Sequence, residues 1–129
     1  MKRLATLLGF VAVLALAGCG SSEKSANDVG QTYVTTLDRV ADALESVKDE
    51  ASAKKAASEI AKANDVMQSM VDEINSMSRT EQVMMVQKNA AKMAEAETRI
   101  SQAMQKIVSD NPQLLDVIGS EIQDMPKLK

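Results

Sequence analysis

Val47-Lys48-Asp49-Glu50-Ala51-Ser52-Ala53 is the stretch that decides the fold. Upstream of it, Tyr33, Leu37, Val40, Leu44, Val47 and Ala51 recur at alternating steps of four and three, the spacing that keeps apolar side chains on one helical face. Downstream, Ala53, Ala56, Ile60, Ala63, Met67, Met70, Ile74 and Met77 repeat the alternation, but displaced by two residues. A single helix in the first register would carry Lys54, Ser58, Asp65 and Gln68 into its apolar seam. The chain is therefore expected to break between Asp49 and Ser52, with Ser52 as the N-cap of a second helix.

Working outward, Asp28 and Gln31 have the spacing of a capping box ahead of the first stripe. A third stripe, Val86, Asn89, Met93, Ala96, Ile100, Ala103 and Ile107, is again displaced by two positions, and Ser78-Arg79-Thr80-Glu81 has capping-box spacing at that junction. No glycine or proline interrupts residues 31–111, so long helices are expected. Asp110 or Asn111 followed by Pro112 starts a last, shorter helix with proline at its first position, and Leu115, Ile118, Ile122 and Met125 give it an apolar face. Short connections between amphipathic helices favour antiparallel neighbours. The expected fold is all-α: an antiparallel three-helix bundle over residues 29–129, with a short fourth C-terminal helix packed across one end or side. A helix from Ser52 to Ser78 would be roughly 40 Å long, which makes a rod. One continuous coiled coil is the competing fold, and the two register shifts weigh against it.

The N-terminal segment reads differently. Lys2 and Arg3 precede an uncharged run over residues 4–18 that ends in the small residues Ala17 and Gly18, the layout of a signal peptide. The run is shorter than the roughly 20 apolar residues that span a bilayer. Leu16-Ala17-Gly18-Cys19 resembles the lipobox of bacterial lipoproteins. That resemblance covers residues 1–19 alone. It implies a signal peptide over 1–18, cleavage before Cys19, a diacylglyceryl group on the Cys19 sulfur and acylation of its freed amine. Several chains hold firmly where one binds marginally. In enteric bacteria an aspartate after the cysteine retains such proteins in the inner membrane; Gly20 stands there instead, so the resemblance implies an outer-membrane address facing the periplasm.

Cleavage would leave 111 residues, one ordinary domain. With Lys2 and Arg3 gone, 13 basic residues face 18 acidic ones, a net charge of −5, which disfavours nucleic acid and anionic lipid as partners. Cys19 is the one cysteine, so an intrachain disulfide and a thiolate metal site are both excluded. Residues 19–28 read as the lipidated cysteine and a flexible tether; nine residues at about 5 to 6 Å × √n reach roughly 15 to 18 Å, which would keep the domain near its membrane.

The chain has no histidine, no thiol once Cys19 is acylated and no glycine-rich phosphate loop, and its carboxylates and lysines fall where a solvated helix face needs them. No enzymatic activity and no cofactor are expected. Tyr33 is the only aromatic residue after the signal segment, and many seam positions are alanine. The core then buries little area, which favours modest monomer stability and makes self-association or an envelope protein partner reasonable. Methionines 67, 70, 77, 93 and 104 lie in or beside the seams, where the residue is an adaptable filler. Met84 and Met85 are the least explained by the seam and are the candidates for Cu(I), which soft thioethers suit. A Met-lined groove for a lipid or hydrophobic peptide is the related possibility. Lys129 prompts a last comparison. Lipobox, heptad-spaced helix and C-terminal lysine resemble the murein lipoprotein family, which links that lysine to peptidoglycan; this chain departs from it in ending Pro126-Lys127-Leu128-Lys129 and in its three register-shifted helices. The leading expectation is a membrane-anchored, non-catalytic envelope lipoprotein with a structural or interaction role. The alternative is a binding module for lipid, hydrophobic peptide or Cu(I).

Overall fold

The helical chain breaks where the apolar register does. A computed structural model describes residues 21–126, with side chains from position 26. It contains α1 (Ser21–Glu45), α2 (Glu50–Ser76), α3 (Arg79–Asp110), a 3-10 turn (Pro112–Leu114) and α4 (Leu115–Gln123). The protein is an all-α bundle, and among the described residues there is no strand.

Local chemistry fixes the junctions. At the first, Asp49 rather than Ser52 is the N-cap: its carboxylate accepts from the Ser52 amide at 2.7 Å, and Ser52 Oγ accepts from the Asp49 amide at 2.9 Å. The expected cap residue is thus the third residue of the helix and closes the box from the other side. A carboxylate is the better charge for the positive end of the helix dipole. At the second junction the expected box is present, with the Ser78 amide donating to Glu81 Oε2 at 2.7 Å and the Glu81 amide donating to Ser78 Oγ at 3.3 Å. Pro112 opens the 3-10 turn after Asn111, where its missing N–H costs nothing.

The start of the bundle is corrected. Residues 21–28, expected as tether, are the first turns of α1. Ala26 and Val29 are buried there, so tertiary burial overrides a serine-rich composition that by itself favours coil. Asp28 therefore lies inside the helix, where its carbonyl accepts from the Thr32 hydroxyl at 2.9 Å, instead of capping it.

α1 is the central element, packed against both α3 and α2, while α4 packs against α2. Gly30 meets Met85 and Asn89, and Glu45 meets Arg99, so α1 and α3 run in the same sense. The core runs through Leu37, Val40 and Leu44 of α1, Ala56, Ile60 and Met67 of α2, Ala96 and Ile107 of α3, and Ile118 of α4. Tyr33, Leu37, Val40 and Leu44 are buried as their spacing predicts, whereas Ala51 is exposed in the first turn of α2. One position of the third stripe shifts: Met85 is buried and Val86 is 44% exposed. The cause lies in α1, because Gly30 leaves a gap that Met85 fills, its Cγ standing 2.9 Å from where a Cβ on residue 30 would be.

Candidate functional site

The most organised polar arrangement on the bundle is built from an acidic row and one arginine. Asp38, Asp42 and Glu45 stand at steps of four and three along α1, which places them on one face. Arg99 of α3 reaches across to all three. Its Nε and Nη2 donate to the two Glu45 carboxylate oxygens at 3.0 and 2.9 Å, Nη2 also donates to Asp42 Oδ1 at 2.6 Å, and Nη1 to Asp38 Oδ1 at 3.2 Å. The fork on Glu45 is the bidentate geometry that a lysine lacks. Hydrogen bonds to Glu45 and Asp42 push the Arg99 guanidinium further above its ordinary range. With its donors engaged this way, Arg99 locks α3 to α1 rather than waiting for an anionic ligand.

Beside the lock is a half-open cavity of about 480 Å³. Leu44, Val47, Ala103, Ile107 and Leu114 give it an apolar floor, and Lys48, Gln102 and Lys106 stand on its rim. No methionine lines it. Lys106 is itself held by Asp110 through the 2.5 Å contact of its ammonium with Oδ2.

The sequence-derived candidates fall in different places. Leu16, Ala17, Gly18 and Cys19, and likewise Lys129, lie outside the described residues. Met84 is half-buried near the start of α3, and Met85 is 1% exposed in the core beneath Gly30. Met67, Met70 and Met93 are buried, and Met77 and Met104 pack against the core at its edge. The structure thus uses these methionines as filling. Among the described residues no group of three or more His, Cys, Asp and Glu side chains could hold a metal ion, and no helix is long and apolar enough to cross a membrane.

The carboxylates whose acidity is raised are held by local partners. Asp49 is below its ordinary range because Ser52 donates to it, Glu50 because Lys54 pairs with it, and Glu59 because Lys62 does. Sequence reasoning missed the Arg99 lock. Its signal was the row Asp38, Asp42, Glu45, three like charges on one helical face that invite a cation from a neighbour. No protein family, curated protein or solved structure matches the chain.

Proposed function

We propose that the protein is a lipid-anchored lipoprotein of the cell envelope whose bundle has a non-catalytic structural or interaction role. The observation that carries this reading is Leu16-Ala17-Gly18-Cys19 at the end of an uncharged run behind Lys2 and Arg3. Acyl chains on Cys19 hold it to a bilayer, and Gly20 in place of aspartate assigns it to an outer membrane, facing the periplasm, where the cell has one. Gly20 alone separates that cysteine from Ser21, where the 25-residue α1 begins. A helix of that length is about 37 Å long, and its described start two positions after Cys19 keeps the bundle close to the bilayer in this reading. The absence of histidine and the local pairing of Asp49, Glu50 and Glu59 support a non-catalytic reading.

Metabolic labelling with an alkyne fatty acid tests the anchor. The full chain should take up the label and fractionate with membranes, and Cys19→Ala should do neither. A Cys19→Ala chain that still labels would defeat the assignment. In-cell crosslinking of both forms then tests the interaction role, which fails if the native chain crosslinks to nothing.

A second reading, a binding module for a lipid acyl chain, draws on the apolar floor of the cavity at Leu44, Ile107 and Leu114. Displacement of an environment-sensitive dye by a fatty acid should then be lost in Ala103→Glu. A dye that does not bind the native chain removes this reading.

A further inference from the structure

Three large apolar side chains are exposed among the described residues, Val83, Val86 and Val108, and all three are on α3. They share a face. At about 100° per residue, Val83, Val86, Ala90, Ala94, Met104 and Val108 fall within a sector of about 80° that winds along the whole of α3. Ser101 lies in the same sector.

The charges of α3 avoid that sector. The helix has nine charged residues, and seven of them, Lys92 and Arg99 included, cluster within about 60° on the flank that faces the acidic row of α1. The two exceptions are Arg79 and Glu97, which share one angular position inside the apolar sector. A helix face meant for water normally carries charge, and loss of charge with retained aliphatic surface marks the centre of a protein interface.

Those two charges select the occupant. Arg79 and Glu97 are opposite in sign and about five turns apart on one line. If two copies of α3 lie antiparallel about a two-fold axis at residue 88, Arg79 of each copy falls opposite Glu97 of the other. Both ion pairs then form at once, as the symmetry of an isologous contact requires. The same register places Val86 opposite Ala90, a larger side chain against a smaller one, on both sides of the axis. No other register pairs the two charges. Among the described residues neither Arg79 nor Glu97 has an ion pair within its own chain; Glu97 acts on Tyr33 only at a distance, through its charge.

We propose that the N-terminal half of this face, residues 79–97, pairs with a second copy of the chain, antiparallel, in the register set by Arg79 and Glu97; Met104 and Val108 lie beyond the overlap. The proposal deepens the interaction reading above and rests on it; because α1 and α3 run in the same sense, the antiparallel pair sends its two Cys19 anchors out at opposite ends and lies along the bilayer, and the labelling test of the anchor is separate from it. The neutral sector also lets two copies with a net charge of −5 after cleavage approach with little repulsion across the contact.

The test is charge reversal in the full acylated chain, purified in mild detergent and examined by sedimentation equilibrium, with far-UV circular dichroism reporting that each variant stays helical. The native chain should dimerise. Arg79→Glu and Glu97→Arg each turn two attractive pairs into two repulsive ones, and each should raise the dimer dissociation constant about tenfold. The double variant restores opposite charges in the same register and should recover dimerisation to near the native level. A native chain that stays monomeric overturns self-pairing; if it still crosslinks to another envelope protein, the interaction reading survives. A dimer indifferent to both single reversals, or a double variant no better than the singles, overturns the proposed face and register. Val86→Glu gives an independent check, since it places a like charge on both sides of the axis and should abolish the dimer.

Discussion

Gly30 of α1 and Asn89 of α3 are in such close contact that a Cβ on residue 30 would stand 2.3 Å from Asn89 Nδ2. The contact is buried on both sides. Asn89 is 4% exposed and donates from Nδ2 to the Met85 carbonyl at 2.9 Å, and Met85 is itself buried. Glycine inside a helix costs about 1 kcal/mol relative to alanine, so this position gives up helix propensity for a close approach of the α1 backbone to the Asn89 and Met85 side chains.

Gly30→Ala decides which effect wins. Propensity alone makes it stabilising by about 1 kcal/mol, while overpacking a closed core costs about 1 to 3 kcal/mol. Both neighbours are buried and Asn89 is bonded to the Met85 carbonyl, so moving aside costs that bond, and the variant should be less stable by about 1 kcal/mol in urea unfolding. Adding Asn89→Ala empties the colliding volume, and the pair should be less destabilised than the two single losses summed. A stabilised single variant would show that Asn89 swings aside freely.

The Arg99 lock makes a salt-dependent prediction. Arg99→Met keeps much of the aliphatic stem but leaves Asp38, Asp42 and Glu45 repelling one another, so it should unfold at a lower temperature than the native chain at low salt. Screening shortens the reach of exposed charges from about 10 Å at 0.1 M to about 3 Å at 1 M, so the difference in Tm should shrink by about half or more across that range. Arg99→Lys should recover only part of it, for want of the fork that grips Glu45. A difference that salt leaves unchanged would assign the effect to packing of the stem.

What the sequence made legible was local, and what it concealed was set by a second helix. The break near Asp49 and the box at Ser78 and Glu81 involve residues three apart, so spacing alone exposed them. The exchange of Met85 for Val86 depends on Gly30, more than fifty positions away, and no periodicity within α3 contains that fact. Residues 21–28 looked like tether because Ser and Asn dominate them, yet burial of Ala26 and Val29 makes them helix. The acidic row of the lock was visible in α1, but Arg99 was one cation among several until the fold chose it. The proposed lipobox, Leu16-Ala17-Gly18-Cys19, is a different kind of signal, since it rests on sequence alone and owes nothing to the bundle.

Asn64 tests how α4 is held. Its Nδ2 donates to the Glu121 carbonyl at 2.7 Å, while its Oδ1 is buried without a partner. Asn64→Ala removes the bond and leaves that carbonyl unmet, which should cost about 1 to 2 kcal/mol. Asn64→Asp sets a carboxylate against a carbonyl oxygen in a buried place and should cost more. Amide exchange should quicken first over Leu115–Gln123, where α4 docks. Equal quickening throughout the bundle would mean that α4 does not open separately.

Tyr33 gives the pH prediction. It is buried, and burial first, then the negative charge of Glu97, raises its phenol above the ordinary 10.0. Below about pH 10 the folded and unfolded chains both keep the proton, so the contribution of this group to stability is fully present. Above that, the unfolded chain releases the proton while the folded chain still holds it. Stability must then fall as pH rises, until the folded phenol titrates too. Lysines ionise over the same range, so the informative quantity is the difference between the native chain and Tyr33→Phe, whose Tm should decline less steeply from about pH 9 to pH 12. Tyr33 is the one tyrosine in the chain, so tyrosinate absorbance follows this group alone. Glu97→Gln should shift that titration toward lower pH without reaching the ordinary value, because burial is the larger cause. Identical pH profiles for native chain and Tyr33→Phe would show that the phenol reaches water freely in the folded state.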